Sequence, residues 1–79
     1  MKLPRDVSGR DLAKALIRSW AYREVNRVGS HIILQTDFPA YHRISVPEHS
    51  PLRIGTLNAL LRAVAKAKRV SREDVIASL

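Results

Sequence analysis

The stretch Tyr22-Arg23-Glu24-Val25-Asn26-Arg27-Val28-Gly29-Ser30-His31-Ile32-Ile33-Leu34-Gln35-Thr36 holds two β-favouring runs, 22–28 and 31–36, with Gly29-Ser30 between them. A two-residue gap that contains glycine is the mark of a tight hairpin. Turns whose twist suits paired strands need a positive φ, which glycine adopts without steric cost. In such a hairpin Val28 faces His31, Asn26 faces Ile33 and Glu24 faces Gln35, and these six share one face of the sheet. Val25, Ile32 and Leu34 fall on the other face, with Arg27 at its margin. The second set is apolar and is expected to pack on the rest of the chain. His31 then stands on an open face at the start of its strand.

Upstream of the hairpin, Ser8 and Asp11 form a capping-box pattern. Leu12, Ala13, Leu16, Ile17 and Trp20 then recur at helical spacing, with Arg10, Lys14 and Arg18 as a basic row on the far side. Downstream, Asp37-Phe38-Pro39-Ala40 reads as a turn, and Trp20 and Phe38 read as core or turn packing. Arg43-Ile44-Ser45-Val46 reads as a third strand ended by Pro47. Ile44 and Val46 point inward, which leaves Arg43 and Ser45 on the face of His31. His42 falls in the turn before this strand and has no assigned role.

The loop from Glu48 to Ile54 carries His49, Pro51 and Arg53. Gly55-Thr56 opens a second long helix with Leu57, Leu60, Leu61 and Val64 as its apolar stripe and Arg62, Lys66 and Arg69 as a second basic row. Ser71 and Asp74 form another capping pair, ahead of a short helix anchored by Val75, Ile76 and Leu79. The pattern predicts an α+β fold: a two-layer αβββα sandwich like the double-stranded RNA-binding fold, with a three-stranded antiparallel sheet. Its helices lie on one face and a short extra helix ends the chain. No repeat or linker divides residues 1–79, so one domain is expected.

Composition narrows the chemistry. The 79 residues include no cysteine, which rules out disulfides and zinc–thiolate sites and fits a reducing cytosol. No run approaches the roughly 18 apolar residues of a membrane span. The start, Met1-Lys2-Leu3-Pro4-Arg5-Asp6, lacks the apolar core of a signal peptide. A cytoplasmic protein with no membrane partner is expected. Fourteen Lys and Arg against seven Asp and Glu give a net charge of +7, and ten of the fourteen are arginine. Arginine's planar fork matches phosphate oxygens, so a polyanion is the expected partner, either nucleic acid or an acidic protein.

Several fragments together resemble one family. Leu3-Pro4 and Ser8-Gly9 precede the first helix, Gly29-Ser30-His31 forms the hairpin tip, Ile44-Ser45-Val46-Pro47 is followed by His49, and Gly55-Thr56-Leu57 opens the second helix. In this order and spacing, over nearly the whole chain, they resemble the HicA toxins of HicA–HicB toxin–antitoxin systems. The resemblance implies a ribonuclease acting on messenger and related RNAs, neutralised by a HicB-like antitoxin, with the histidine after Gly-Ser, here His31, as the functional residue. Three positions depart from the pattern. Ala21 stands where a glycine commonly ends the first helix, Val28 where a basic or polar residue often precedes the glycine, and Ile32 where a second histidine is frequent.

The residue chemistry fits that expectation. Imidazole, with an unperturbed pKa of about 6.5, accepts and donates protons near neutrality. RNA supplies its own nucleophile in the 2′-hydroxyl, so no metal or small-molecule cofactor is needed in principle. His31 is the candidate acid or base, with Gly29 and Ser30 shaping the turn that presents it. Arg27, Arg43 and Arg53 are candidate backbone contacts, Arg53 beside a helix N-terminus whose free N–H groups suit phosphate. His49 is a possible second acid or base, or a structural loop histidine. The histidines at 31, 42 and 49 are not at spacings that suggest a metal site. Two other readings stay open: a non-catalytic RNA-binding module, and an adaptor for an acidic protein.

Overall fold

A computed structural model describes residues 3–79. The elements run α1 (Gly9–Ser19), β1 (Arg23–Val28), β2 (His31–Thr36), β3 (His42–Pro47), α2 (Ile54–Lys68) and α3 (Arg72–Ala77). The strands form one antiparallel sheet in the order β1-β2-β3. This is the α+β layout that the sequence pattern predicts, an open sheet with its helices packed on one face.

Alternation along the strands sets the two faces. Ile32, Leu34, Thr36, Ile44 and Val46 are buried, whereas His31, Arg43 and Ser45 are exposed. The buried set meets Leu12, Leu16, Leu57, Leu61 and Val64 from the two long helices, and α3 adds Val75 and Ile76. Ser8 accepts a hydrogen bond from the Asp11 N–H at 3.0 Å. At Ser71 the reciprocal pair with Asp74 is complete, a cap of the kind that contributes about 1 kcal/mol to a short helix. No helix among the described residues is long and apolar enough to cross a membrane.

The hairpin forms as read at its tip and departs from the reading further down. Val28 pairs with His31 and Asn26 with Ile33, and Gly29 takes φ 57 in the turn. The register then shifts between Glu24 and Asn26, so Glu24 lies opposite Leu34 and it is Arg23 that faces Gln35. Val25 is the extra residue of this bulge and is exposed instead of joining Ile32 and Leu34. The whole of β1 is exposed, because the helices cover β2 and β3 more fully than this edge.

Four other side chains depart from the expected core. Ile17 is exposed because the buried stripe of α1 runs through Leu12, Ala13, Ala15 and Leu16. Leu79 is exposed past the end of α3. Trp20 is only half-buried and donates from Nε1 to the Ser78 hydroxyl at 2.8 Å. Phe38 packs on nothing that hides it and is 73% exposed.

The ends of the long helices show what the local sequence must accommodate. Ala21 follows the α1 cap at φ 60, the left-handed region that favours glycine, and beyond it Tyr22 N–H reaches back to the Leu16 carbonyl at 3.3 Å. Arg69 closes α2 in the same region at φ 59, with Val70 N–H bonded to the Ala65 carbonyl at 3.0 Å.

Candidate functional site

β2 and β3 bring together the residues of the open face. His31 pairs across the sheet with Val28 on one side and Pro47 on the other, and Ser45 lies opposite Ile33. The His31 Nδ1 atom is 3.2 Å from the Ser45 hydroxyl, which holds one ring nitrogen, while Nε2 has no hydrogen-bond partner among the described residues. Arg43, two residues before Ser45 on β3, shares this face. Asn26, Val28, Ile33, Arg43 and Ser45 line a shallow groove beside the imidazole. Arg43 has no carboxylate partner among the described residues.

The Ser45 contact sets the chemistry open to His31. When the serine hydroxyl donates to Nδ1, the proton of a neutral ring sits on Nε2, which is then a hydrogen-bond donor to a phosphate oxygen and not a base. When Nδ1–H donates to the serine, Nε2 is the free acceptor and can take a proton from a hydroxyl. The second arrangement is the one that suits proton transfer: Nε2 is a base in the neutral ring and, once it holds a proton as well, an acid toward a leaving oxygen.

Arg27 stands on the opposite face. It pairs with Ile32, whose side chain is buried, so alternation turns it toward the helices. There its guanidinium bonds one oxygen of Glu48 and lies 3.6 Å from Glu24. Arg10 of α1 holds the other Glu48 oxygen at 2.9 Å. Glu48 is thus a clip between α1 and β1, and its own N–H donates to the Ser30 carbonyl at 2.7 Å, which tethers the hairpin turn. Its pKa is lowered, first by the Arg10 hydrogen bond; burial opposes this, and the Arg27 charge adds to the lowering. Sequence reading did not single out Glu48. No local pattern marks it, because its side-chain partners Arg10 and Arg27 lie 38 and 21 positions away.

His49 is exposed and lines a cleft with Ser8, Arg10, Glu48 and Ser50, outside the groove beside His31. Its contribution visible in the fold is its backbone carbonyl, which accepts from Gly9 N–H at 2.9 Å. Arg53 is the N-cap residue of α2, exposed and without a side-chain cap bond, in a first turn with no acidic residue. That leaves the helix start open to an anion, but no contact among the described residues joins it to His31. Gly29 and Ser30 are exposed at the turn.

At the far end of the sheet is a cluster that sequence reading missed. His42 is the first residue of β3, not part of a turn, and its Nδ1 bonds the buried Tyr22 hydroxyl at 2.8 Å. Lys68 reaches under the β2–β3 loop to the Thr36 hydroxyl at 2.8 Å and to the Phe38 carbonyl, with its ammonium 4.8 Å from the centre of the Tyr22 ring. Burial pushes Tyr22 up to about 12 and lowers Lys68. Burial, and secondly the Lys68 charge, holds His42 below the usual histidine range.

Among the described residues no group of three or more His, Asp or Glu side chains gathers as a metal-ligand set. In comparisons with family models, with curated proteins and with solved structures, nothing matches this chain.

Proposed function

We propose that this chain is an endoribonuclease toxin of the HicA type, acting in the cytoplasm on messenger and related RNA and restrained by a HicB-like antitoxin. The observation that carries the reading is the imidazole of His31 on an open sheet face, with one ring nitrogen held by Ser45 at 3.2 Å. Arg43 on the same face, in a chain of net charge +7, is suited to hold the phosphate.

In the proposed reaction the 2′-hydroxyl loses its proton to a base and its oxygen attacks the adjacent phosphorus. The bond to the 5′-oxygen breaks and that oxygen takes up a proton. The products are a 2′,3′-cyclic phosphate and a 5′-hydroxyl end. His31 serves one of the two proton transfers, Ser45 positions its ring, and Arg43 offsets charge on the phosphate oxygens. Few groups on this face are equipped to read base edges, so sequence choice is loose. An acidic antitoxin covering the face would associate quickly through charge.

The test is RNA cleavage by purified wild-type and His31→Ala proteins in EDTA, with folding checked by circular dichroism. Cleavage by the first and none by the second is expected. Full cleavage by the variant removes His31 from the mechanism. If neither protein cuts yet both bind RNA with salt-dependent affinity, the chain is a binding module. That second reading draws on the partner of His31 being a hydroxyl and not another acid or base.

A further inference from the structure

We infer that the surface between the β2–β3 loop and the last turn of α2 is a second RNA contact, one that accepts an unpaired base. The inference rests on the RNA reading above and names the form of RNA preferred. Phe38 and Tyr41 are 73% and 63% exposed, the two most exposed large apolar side chains among the described residues. Both belong to the loop that joins β2 to β3. Two grooves open beneath them, one containing Phe38, Pro39 and Trp20 and the other Tyr41, Ala63 and Lys66, with Arg69 shared by both.

Charge favours a nucleic acid over an apolar segment here. Lys66 and Arg69 are exposed and have no carboxylate partner among the described residues. The one acid of the loop, Asp37, is already paired with Arg23 at 2.9 Å. The basic side chains outweigh the roughly half-unit negative charge at the end of α2. Aromatic faces set beside cations suit a strand whose bases stack while its phosphates are neutralised.

The platform is also anchored. Lys68 binds the Thr36 hydroxyl and the Phe38 carbonyl from below, and the Tyr22–His42 bond secures the start of β3. The aromatic rings therefore project from a fixed loop, and little ordering remains to be done on binding. Only an unstacked base offers its face to such a ring, because duplex bases are already stacked on their neighbours. The surface lies at the far end of β2 from His31, about 17 Å along a strand rising about 3.3 Å per residue, so it is a separate subsite.

The test measures wild-type and Phe38→Ala/Tyr41→Ala proteins binding a 2′-O-methyl RNA, which lacks the nucleophile and cannot be cut. The RNA is presented single-stranded and as a duplex, with 2-aminopurine reporting stacking. The expected result is about tenfold weaker binding of the single strand by the variant, loss of its fluorescence quenching, and less than twofold change on duplex. A Lys66→Gln/Arg69→Gln protein is expected to show a shallower salt dependence on the same strand. If the aromatic variant binds both forms like wild type while RNA cleavage persists, this inference falls and the function stands. Equal losses on single strand and duplex overturn the preference for an unpaired base. If wild type binds neither form and cuts no RNA, both readings fall, and a protein partner for this surface takes their place.

Discussion

Gly9 in the first turn of α1 lies against the backbone of Pro47, so close that a Cβ on it would sit 1.8 Å from the Pro47 carbonyl oxygen. The Gly9 N–H is bonded to the carbonyl of His49, and Leu52 N–H to that of Val7, so the chain after β3 is strapped to the start of α1. Backbone cannot yield there as a flexible side chain would. Gly9→Ala is expected to cost about 3 kcal/mol or more. Gly29→Ala, with open space around it but φ 57, should cost about 1–2 kcal/mol. Gly55→Ala, in open space within α2, should stabilise by up to about 1 kcal/mol. Urea titrations of the three proteins check the order, and a near-neutral Gly9→Ala would refute the close approach.

Ala21 carries a left-handed conformation that costs an L-residue roughly 1–2 kcal/mol. Ala21→Gly is therefore expected to raise stability by about 0.5–1 kcal/mol, the relief being partly offset by the greater freedom of glycine in the unfolded chain. Thermal melts read this as an upward shift of several degrees.

The Tyr22–His42–Lys68 cluster makes stability depend on pH at both ends. His42 has its folded pKa depressed, so the unfolded chain takes up the proton first as pH falls. Its contribution is complete above about pH 6.5 and declines as pH drops toward the depressed value. A His42→Asn protein should show a flatter melting profile between about pH 7 and pH 5. Glu48 and Glu73, both held low, weaken the fold only further down, as pH falls below the usual carboxylate range. Tyr22 has the opposite sense: the unfolded phenol ionises near 10 while the folded one holds its proton to about 12. Stability should fall over that interval, and phenolate absorbance in the intact protein should reveal a tyrosine titrating near 12.

On the open face, activity and stability should separate. His31→Ala is expected to reduce RNA cleavage by about 100-fold or more while changing stability by less than about 0.5 kcal/mol, because the residue is exposed. Ser45→Ala should lower kcat several-fold and displace the pH–rate profile, with Ser45→Thr restoring much of both. An unaltered profile in the alanine protein would show that the 3.2 Å contact does not position the ring.

Glu48→Gln should release Arg10 and Arg27 from their shared carboxylate. Tighter RNA binding with a steeper salt dependence is the expected outcome, since two more cations can meet phosphates. Unchanged affinity at low salt would mean that these arginines serve only to join α1 to β1.

What could be read from the chain followed from local signals. Gly29-Ser30 set the hairpin tip, alternation in 31–36 and 43–46 set the faces, and Ser8 and Ser71 marked helix starts. Val25 escaped because a bulge inserts one residue without a distinctive side chain, and a β-branched valine reads as an ordinary strand position. Ile17 escaped because helical periodicity gives a stripe but not the width that neighbouring elements cover. The Tyr22–His42 and Thr36–Lys68 contacts join residues 20 and 32 positions apart, and nothing local marks them. The clip at Glu48 is of the same kind, a partnership between α1 and β1 through a loop.

The division of the sheet into one packed face and one bare face bears on how this protein can change. His31, Arg43 and Ser45 alternate along their strands with the buried Ile32, Ile44 and Val46, yet belong to a surface that none of the described elements covers. Mutation can therefore explore one row of side chains while the other is held constant by packing. A lineage could silence, retune or re-specify this surface in single steps and still produce an intact domain. Copies altered only on this surface would persist as folded proteins, one substitution away from the original face.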